Sequence, residues 1–181
     1  IFMKKIKIIG AGSIGNHLAN AARNLGWDVV VCDIDPEALE RMRFDIYPKR
    51  YGSWDDKIKL HSVKQAPTGG FDIIAVGTPP DVHLKLTMSA INEAPKVVLI
   101  EKPLCAPDME GSGDLLNHAS SHKVKLLVGY NHSVGKSVKL AIEKIRSGEL
   151  GEAQTLDVEF REHWGGIFKA HPWLQGPADS Y

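Results

Sequence analysis

Gly10-Ala11-Gly12-Ser13-Ile14-Gly15 fits G-x-G-x-x-G, a spacing whose chemistry is the binding of a diphosphate. One glycine makes a tight turn, one lets the backbone approach the phosphates, and one lets a helix pack closely on a strand. The helix that follows turns its free N–H groups and positive dipole end toward the anion. Asp33 stands 18 positions after Gly15, near the spacing of an acid that binds a ribose. A carboxylate there accepts from a 2′-hydroxyl and repels a 2′-phosphate. Its neighbours Ile34 and Asp35 bring no cation, so the cofactor expected is NAD, with NADP disfavoured. Asp35, beside Pro36, reads instead as a helix cap. Lys102 lies between Glu101 and Pro103, just after the apolar run Val97–Ile100. Open α/β sheets place their ligands at such strand ends, where an ammonium can hydrogen-bond a reacting oxygen and take part in proton transfer.

The elements that must position these residues alternate. Apolar runs at Lys5–Ile9, Val29–Cys32, Phe71–Val76, Val97–Ile100 and Lys125–Val128 read as strands, with Lys59–Val63 as a further candidate. Helical periodicity runs over Ser13–Leu25, from Pro36 to about Phe44, over Asp81–Asn92, Asp108–His122 and Lys136–Ser147. Strand and helix in turn imply βαβ units around a parallel sheet. Gln154–Phe160 alternates apolar and polar residues and reads as a half-exposed strand. The stretch from His163 onward, with Gly165-Gly166 and Pro172-Trp173, reads as loop.

Four motifs in order carry a family resemblance: Gly10–Gly15, Thr78-Pro79-Pro80-Asp81-Val82-His83, Glu101-Lys102-Pro103-Leu104 and Gly129-Tyr130-Asn131-His132. Together with Ile145–Glu152 they resemble the glucose–fructose oxidoreductase / inositol dehydrogenase / MocA (Gfo/Idh/MocA) family. The Glu-Lys-Pro motif is the specific part. The resemblance implies an α/β fold: a Rossmann-type doubly wound parallel sheet over residues 3–130, then the start of an incomplete α+β substrate and oligomerisation domain over residues 131–181. It implies an enzyme that transfers a hydride between NAD and a carbinol or carbonyl carbon of a sugar, cyclitol or nucleotide sugar, and that is a homo-oligomer when full length. Cofactor contacts are implied for Gly10, Gly12, Ser13, Ile14, Gly15, Asp33, Ile34, Thr78, Pro79, His83, Glu101 and Lys102. Lys102 is also the catalytic candidate, and a cis bond is implied before Pro103. Asn131 and His132 match positions near the substrate. The family's acid–base histidine, carried on a glycine-rich segment with an Asp/His pair, has no match here and is expected beyond Tyr181. His163 and His171 precede that point and read as loop histidines.

Two other readings compete. One is a non-catalytic NAD-binding or regulatory protein on the same fold. The other is a different Rossmann enzyme, such as an S-adenosylmethionine-dependent methyltransferase, in which Glu-Lys-Pro would have no role. Composition narrows the field. The 181 residues are 43% hydrophobic and 24% charged, enough to bury a core. Twenty-two basic residues balance 22 acidic ones, leaving no field to recruit nucleic acid or an anionic membrane. No apolar run approaches the length of a membrane span. The cysteines, Cys32 and Cys105, suit a reducing cytoplasm, and no spacing suits a metal. Met3 reads as the natural start, and the length, between one and two domains, reads as a cofactor domain followed by a partial second one.

Overall fold

Short β-branched runs become strands here because helices cover them on both faces. A computed structural model describes residues 4–159, 161 and 163–170. The strands are β1 (Lys5–Ile9), β2 (Asp28–Asp33), β3 (Ile58–Ser62), β4 (Ile73–Val76), β5 (Val97–Ile100) and β6 (Lys125–Val128). All neighbours pair in parallel, in the order β3-β2-β1-β4-β5-β6. This is the doubly wound arrangement, with its switch point between β1 and β4.

Two apolar clusters hold the sheet. One joins Ile6 and Ile8 of β1, Val29 and Val31 of β2 and Ile58 of β3 to Ala19 and Ala22. The other joins Ile74, Val76, Val98 and Ile100 to Ala90, Ile91, Leu115 and Ala119. The alanines and leucine of these sets lie on helices α1 (Ser13–Asn24), α4 (His83–Ile91) and α5 (Ser112–Ser121). Truncating a fully enclosed side chain such as Ile8 would cost about 2–5 kcal/mol. Lys7, buried in the central strand, is the exception to this apolar pattern. Its ammonium bonds both Glu93 carboxylate oxygens and the Pro67 carbonyl, which offsets the loss of water.

The helix after β2 runs further than its sequence implies. Asp35 caps α2 (Pro36–Arg41), its carboxylate accepting the Glu37 amide at 2.9 Å. A π turn over Met42–Ile46 then leads into α3 (Tyr47–Tyr51), so the helical run continues past Phe44. Pro48 has no N–H to give, and the widened turn before it accommodates the ring. α5 begins at Ser112 rather than Asp108, because Met109 (φ 60) and Gly111 (φ 77) adopt left-handed backbone.

Ile1–Gly129 forms one compact unit and Tyr130–Tyr181 another. The second contains a 3-10 turn (Asn131–Val134), α6 (Lys136–Arg146) and α7 (Trp164–Ala170). Two expectations need correction in this unit. Residues 154–159 form no strand: no described strand of the unit is available to pair with them, and Leu156 and Val158 are largely exposed. Residues 164–170 are helical rather than loop, with the His163 Nδ1 accepting the Gly166 amide at 3.2 Å at the helix start. Phe160, His171, Pro172 and Trp173 lie outside the described residues.

Candidate functional site at the carboxyl edge of the sheet

Strand register brings the chemistry together. Cys32, Ile9, Val76, Ile100 and Val128 form one row across β2, β1, β4, β5 and β6. The next row is Asp33, Gly10, Gly77, Glu101 and Gly129. Four amides continue the ladder one step: Gly10 to the Cys32 carbonyl, Gly77 to Ile9, Glu101 to Val76 and Gly129 to Ile100, each at 2.8 Å. Two acids and three glycines therefore line the carboxyl edge, where open α/β sheets place ligands.

The three motif glycines do different structural work. Gly10 has φ +108, and a Cβ on it would lie 2.6 Å from the Gly77 carbonyl oxygen, so the loops after β1 and β4 meet at the switch point. Gly15 lets α1 rest on the loop, since its Cβ would stand 2.0 Å from the Gly10 oxygen. Gly12 meets nothing within 4 Å and is exposed, leaving open space before the first turn of α1. That turn carries no acid, and Gly12 has no side chain to cap it, so its N–H groups remain for an anion. A diphosphate fits this cradle.

Asp33 ties the loop to β2. Its Oδ2 accepts the Ala11 amide at 2.7 Å and its Oδ1 accepts the Asp35 amide at 2.9 Å. A carboxylate oxygen accepts more than one bond, so both retain capacity for ribose hydroxyls. Ile34 beside it is 86% exposed, an apolar surface at the end of β2. The nearby Arg41 is engaged by Asp35 at 3.0 Å and Glu37 at 3.5 Å.

On the other side of the switch point, the Lys102–Pro103 bond is cis, as the resemblance implies. Lys102 is exposed. The residue that holds this turn is His83. It is fully buried, with Nδ1 2.7 Å from the Pro103 carbonyl oxygen and Nε2 2.8 Å from that of Thr78. Each ring nitrogen stands at hydrogen-bond distance from a carbonyl oxygen; a neutral ring donates to one of the two and an imidazolium to both, and in either form His83 is a strut between the β4 and β5 loops. Thr78 Oγ1 is buried without a hydrogen-bond partner among the described residues, and Pro79 beside it is exposed. Burial raises the Glu101 carboxyl above its usual range, against the opposing pull of Lys102 and His83.

Asn131 and His132 lie on the exposed 3-10 turn of the second unit. Among the described residues, no group of three or more His, Cys, Asp or Glu could hold a metal ion. Burial pushes the Cys32 thiol up to about 11, which leaves it a poor nucleophile. No described helix is long and apolar enough to cross a membrane.

Two residues of this edge escape the sequence reading. Asn16 is fully buried, and its Nδ2 donates to the carbonyls of Ala11 (3.1 Å) and Gly12 (2.8 Å), fixing the loop from beneath. Its only signal is an amide side chain directly after the third glycine. Arg50 reaches Ser13 from α3, and nothing local in the sequence announces that contact.

Comparison with known proteins bears on this edge. A family model described as "Oxidoreductase family, NAD-binding Rossmann fold" matches residues 4–130. An inositol 2-dehydrogenase of Rhizobium meliloti (strain 1021) is 26% identical over 174 residues, covering 90% of this chain and 49% of that protein. The WlbA dehydrogenase of Bordetella pertussis, solved with NADH and UDP-GlcNAcA, superposes with a TM-score of 0.63 at 20% identity, over 83% of this chain and 44% of that one. The scyllo-inositol dehydrogenase of Lactobacillus casei, solved with NAD(H) and scyllo-inositol, gives 0.62 at 20% identity, over 83% and 43%. The chain thus spans about half the length of the inositol 2-dehydrogenase, and the two solved structures establish likeness of fold.

Proposed function

Because the chain belongs to the Gfo/Idh/MocA family of oxidoreductases with an NAD-binding Rossmann fold, we propose that it is the cofactor-binding part of an NAD-dependent dehydrogenase. The reacting centre would be a carbinol or carbonyl carbon of a sugar, cyclitol or nucleotide sugar. The observation that carries this reading is the row at the carboxyl edge. It sets Asp33 and the glycine loop on one side of the switch point and Glu101-Lys102-Pro103 on the other. The inositol dehydrogenase relative supports the substrate class.

In this reading residues 3–130 hold the cofactor and residues 131–181 open the substrate domain. NAD, when bound, supplies the hydride acceptor or donor at C4 of its nicotinamide. The amides of Gly12, Ser13 and Ile14 bind the diphosphate, and Gly10 and Gly15 shape their loop. Asp33 accepts the ribose 2′-hydroxyl, which sets NAD above NADP, and Ile34 offers an apolar flank to adenine. Thr78 and Pro79 line the loop along the cofactor, with His83 beneath them as their strut. Glu101 supports the turn from which Lys102 hydrogen-bonds the reacting oxygen and polarises it. Asn131 and His132 contribute to substrate binding. At full length the protein works as a homo-oligomer in the cytoplasm, whose reducing conditions suit the free, buried thiols of Cys32 and Cys105.

The test is NADH formation when NAD and, in turn, cyclitols, aldoses and nucleotide sugars are supplied to the full-length protein. Reduction with one of these classes is the expected result. Tight NADH binding without reduction by any of them would favour a non-catalytic nucleotide-binding protein.

A further inference from the structure

The glycine loop lacks a cation. No lysine or arginine occurs from Gly10 to Gly15, and the helix dipole provides only about half a charge at its N-terminus. A dinucleotide's diphosphate is a dianion, so the sequence leaves part of its charge unanswered. The structure brings the missing charge from another element. Arg50 of α3 donates from Nη2 to the Ser13 Oγ at 3.0 Å and from Nη1 to the Ser13 carbonyl at 3.1 Å. Among the described residues it is the only cation hydrogen-bonded to this loop.

Its placement is built rather than incidental. Arg50 Nη1 lies 3.2 Å from the Nε2 of His17, and the Tyr51 hydroxyl lies 2.6 Å from His17 Nδ1. A guanidinium has no acceptor, so Nε2 accepts from it and Nδ1–H donates to Tyr51. Tyr51 is in turn braced edge-on by Tyr47 at 4.8 Å, and Tyr47, buried, by Trp54 at 5.3 Å. The π turn at Met42–Ile46 sets the phase of α3, and such turns recur at functional sites. Arg23, Arg41 and Arg43 each face a carboxylate. Arg50 meets none within ion-pair distance among the described residues, and it contacts Ser13 and the His17 ring instead. Its Nε–H and one Nη2–H have no partner among the described residues, so its charge and two donors remain available.

We propose that Arg50 is a cofactor-binding residue whose guanidinium, anchored on Ser13, supplies positive charge to the dinucleotide's diphosphate. This rests on the NAD-binding reading above and adds a residue to it from outside the glycine loop.

The experiment titrates NADH and NADPH, by fluorescence, into the 181-residue chain and its Arg50→Gln and Arg50→Lys variants, at several salt concentrations. Thermal melts without nucleotide check that the variants fold. Arg50→Gln is expected to weaken both nucleotides about tenfold and to flatten the salt dependence. Arg50→Lys, which keeps the charge but loses the planar fork, is expected to lie between. Parent-like affinity and salt dependence in Arg50→Gln would overturn the proposal. So would a loss confined to NADPH, which would put the charge at the 2′ position. Failure of the parent itself to bind either nucleotide would remove the NAD-binding reading and this proposal with it.

Discussion

The Asp33 carboxylate accepts the Ala11 amide at 2.7 Å, so the acid at the end of β2 also braces the glycine loop. Asp33→Ala should therefore weaken every dinucleotide somewhat, through the loop, and NAD much more than NADP, through the lost ribose bonds. A difference of about tenfold between the two losses is expected, the worth of one charge-assisted bond. Parallel titrations of NADH and NADPH measure it. Equal losses would mean that Asp33 braces the loop without reading the 2′ position.

Gly12 and Gly15 separate cofactor approach from packing. Gly12 has extended backbone and open space at its Cβ position, so Gly12→Ala should fold with a near-parent melting temperature and bind NADH at least several-fold more weakly. A Cβ on Gly15 would stand 2.0 Å from a main-chain oxygen, and Gly15→Ala should cost about 1–3 kcal/mol or more in stability. Thermal melts and NADH titrations of the two variants check the contrast. A Gly12→Ala variant with full affinity would show that the open space is not where the phosphates approach.

Glu101 predicts a pH signature. Burial raises its carboxyl, so the folded chain holds the proton more tightly than the unfolded one. The stability this contributes is fully present below the ordinary value of 4.5 and is lost as pH rises through the raised value. Glu101→Gln, neutral throughout, should melt above the parent near pH 7, and the gap should close toward pH 4.5. Melting curves across that range that run parallel would contradict the assignment.

Legibility followed locality. β1 and β5 have the bounds that their apolar runs suggest, because an interior strand of a covered sheet needs only a continuous apolar stretch, and the half-exposed edge strand β6 keeps the bounds of its run as well. The glycine loop and Asp33 could be read for the same reason: their spacing along the chain is their geometry. Arg50 could not, since its contact with Ser13 spans 37 positions and depends on a π turn that Pro48 disguises as a helix end. His83 was legible as part of a motif but not as a strut, because its partners Thr78 and Pro103 lie on two different loops. Residues 154–159 show the converse failure. Alternation marks a segment able to be a strand, but a ladder also requires a neighbour.

Lys102 carries the central claim, and its removal tests that claim most directly. The measurement is the steady-state rate of NADH formation by the full-length protein and by its Lys102→Ala variant, on whichever cyclitol or sugar the full-length protein oxidises, with NADH affinity measured alongside. If Lys102 polarises the reacting oxygen, kcat should fall by about a hundredfold or more while NADH affinity changes only a few-fold. A Lys102→Ala variant that turns over at the parent's rate would contradict the account.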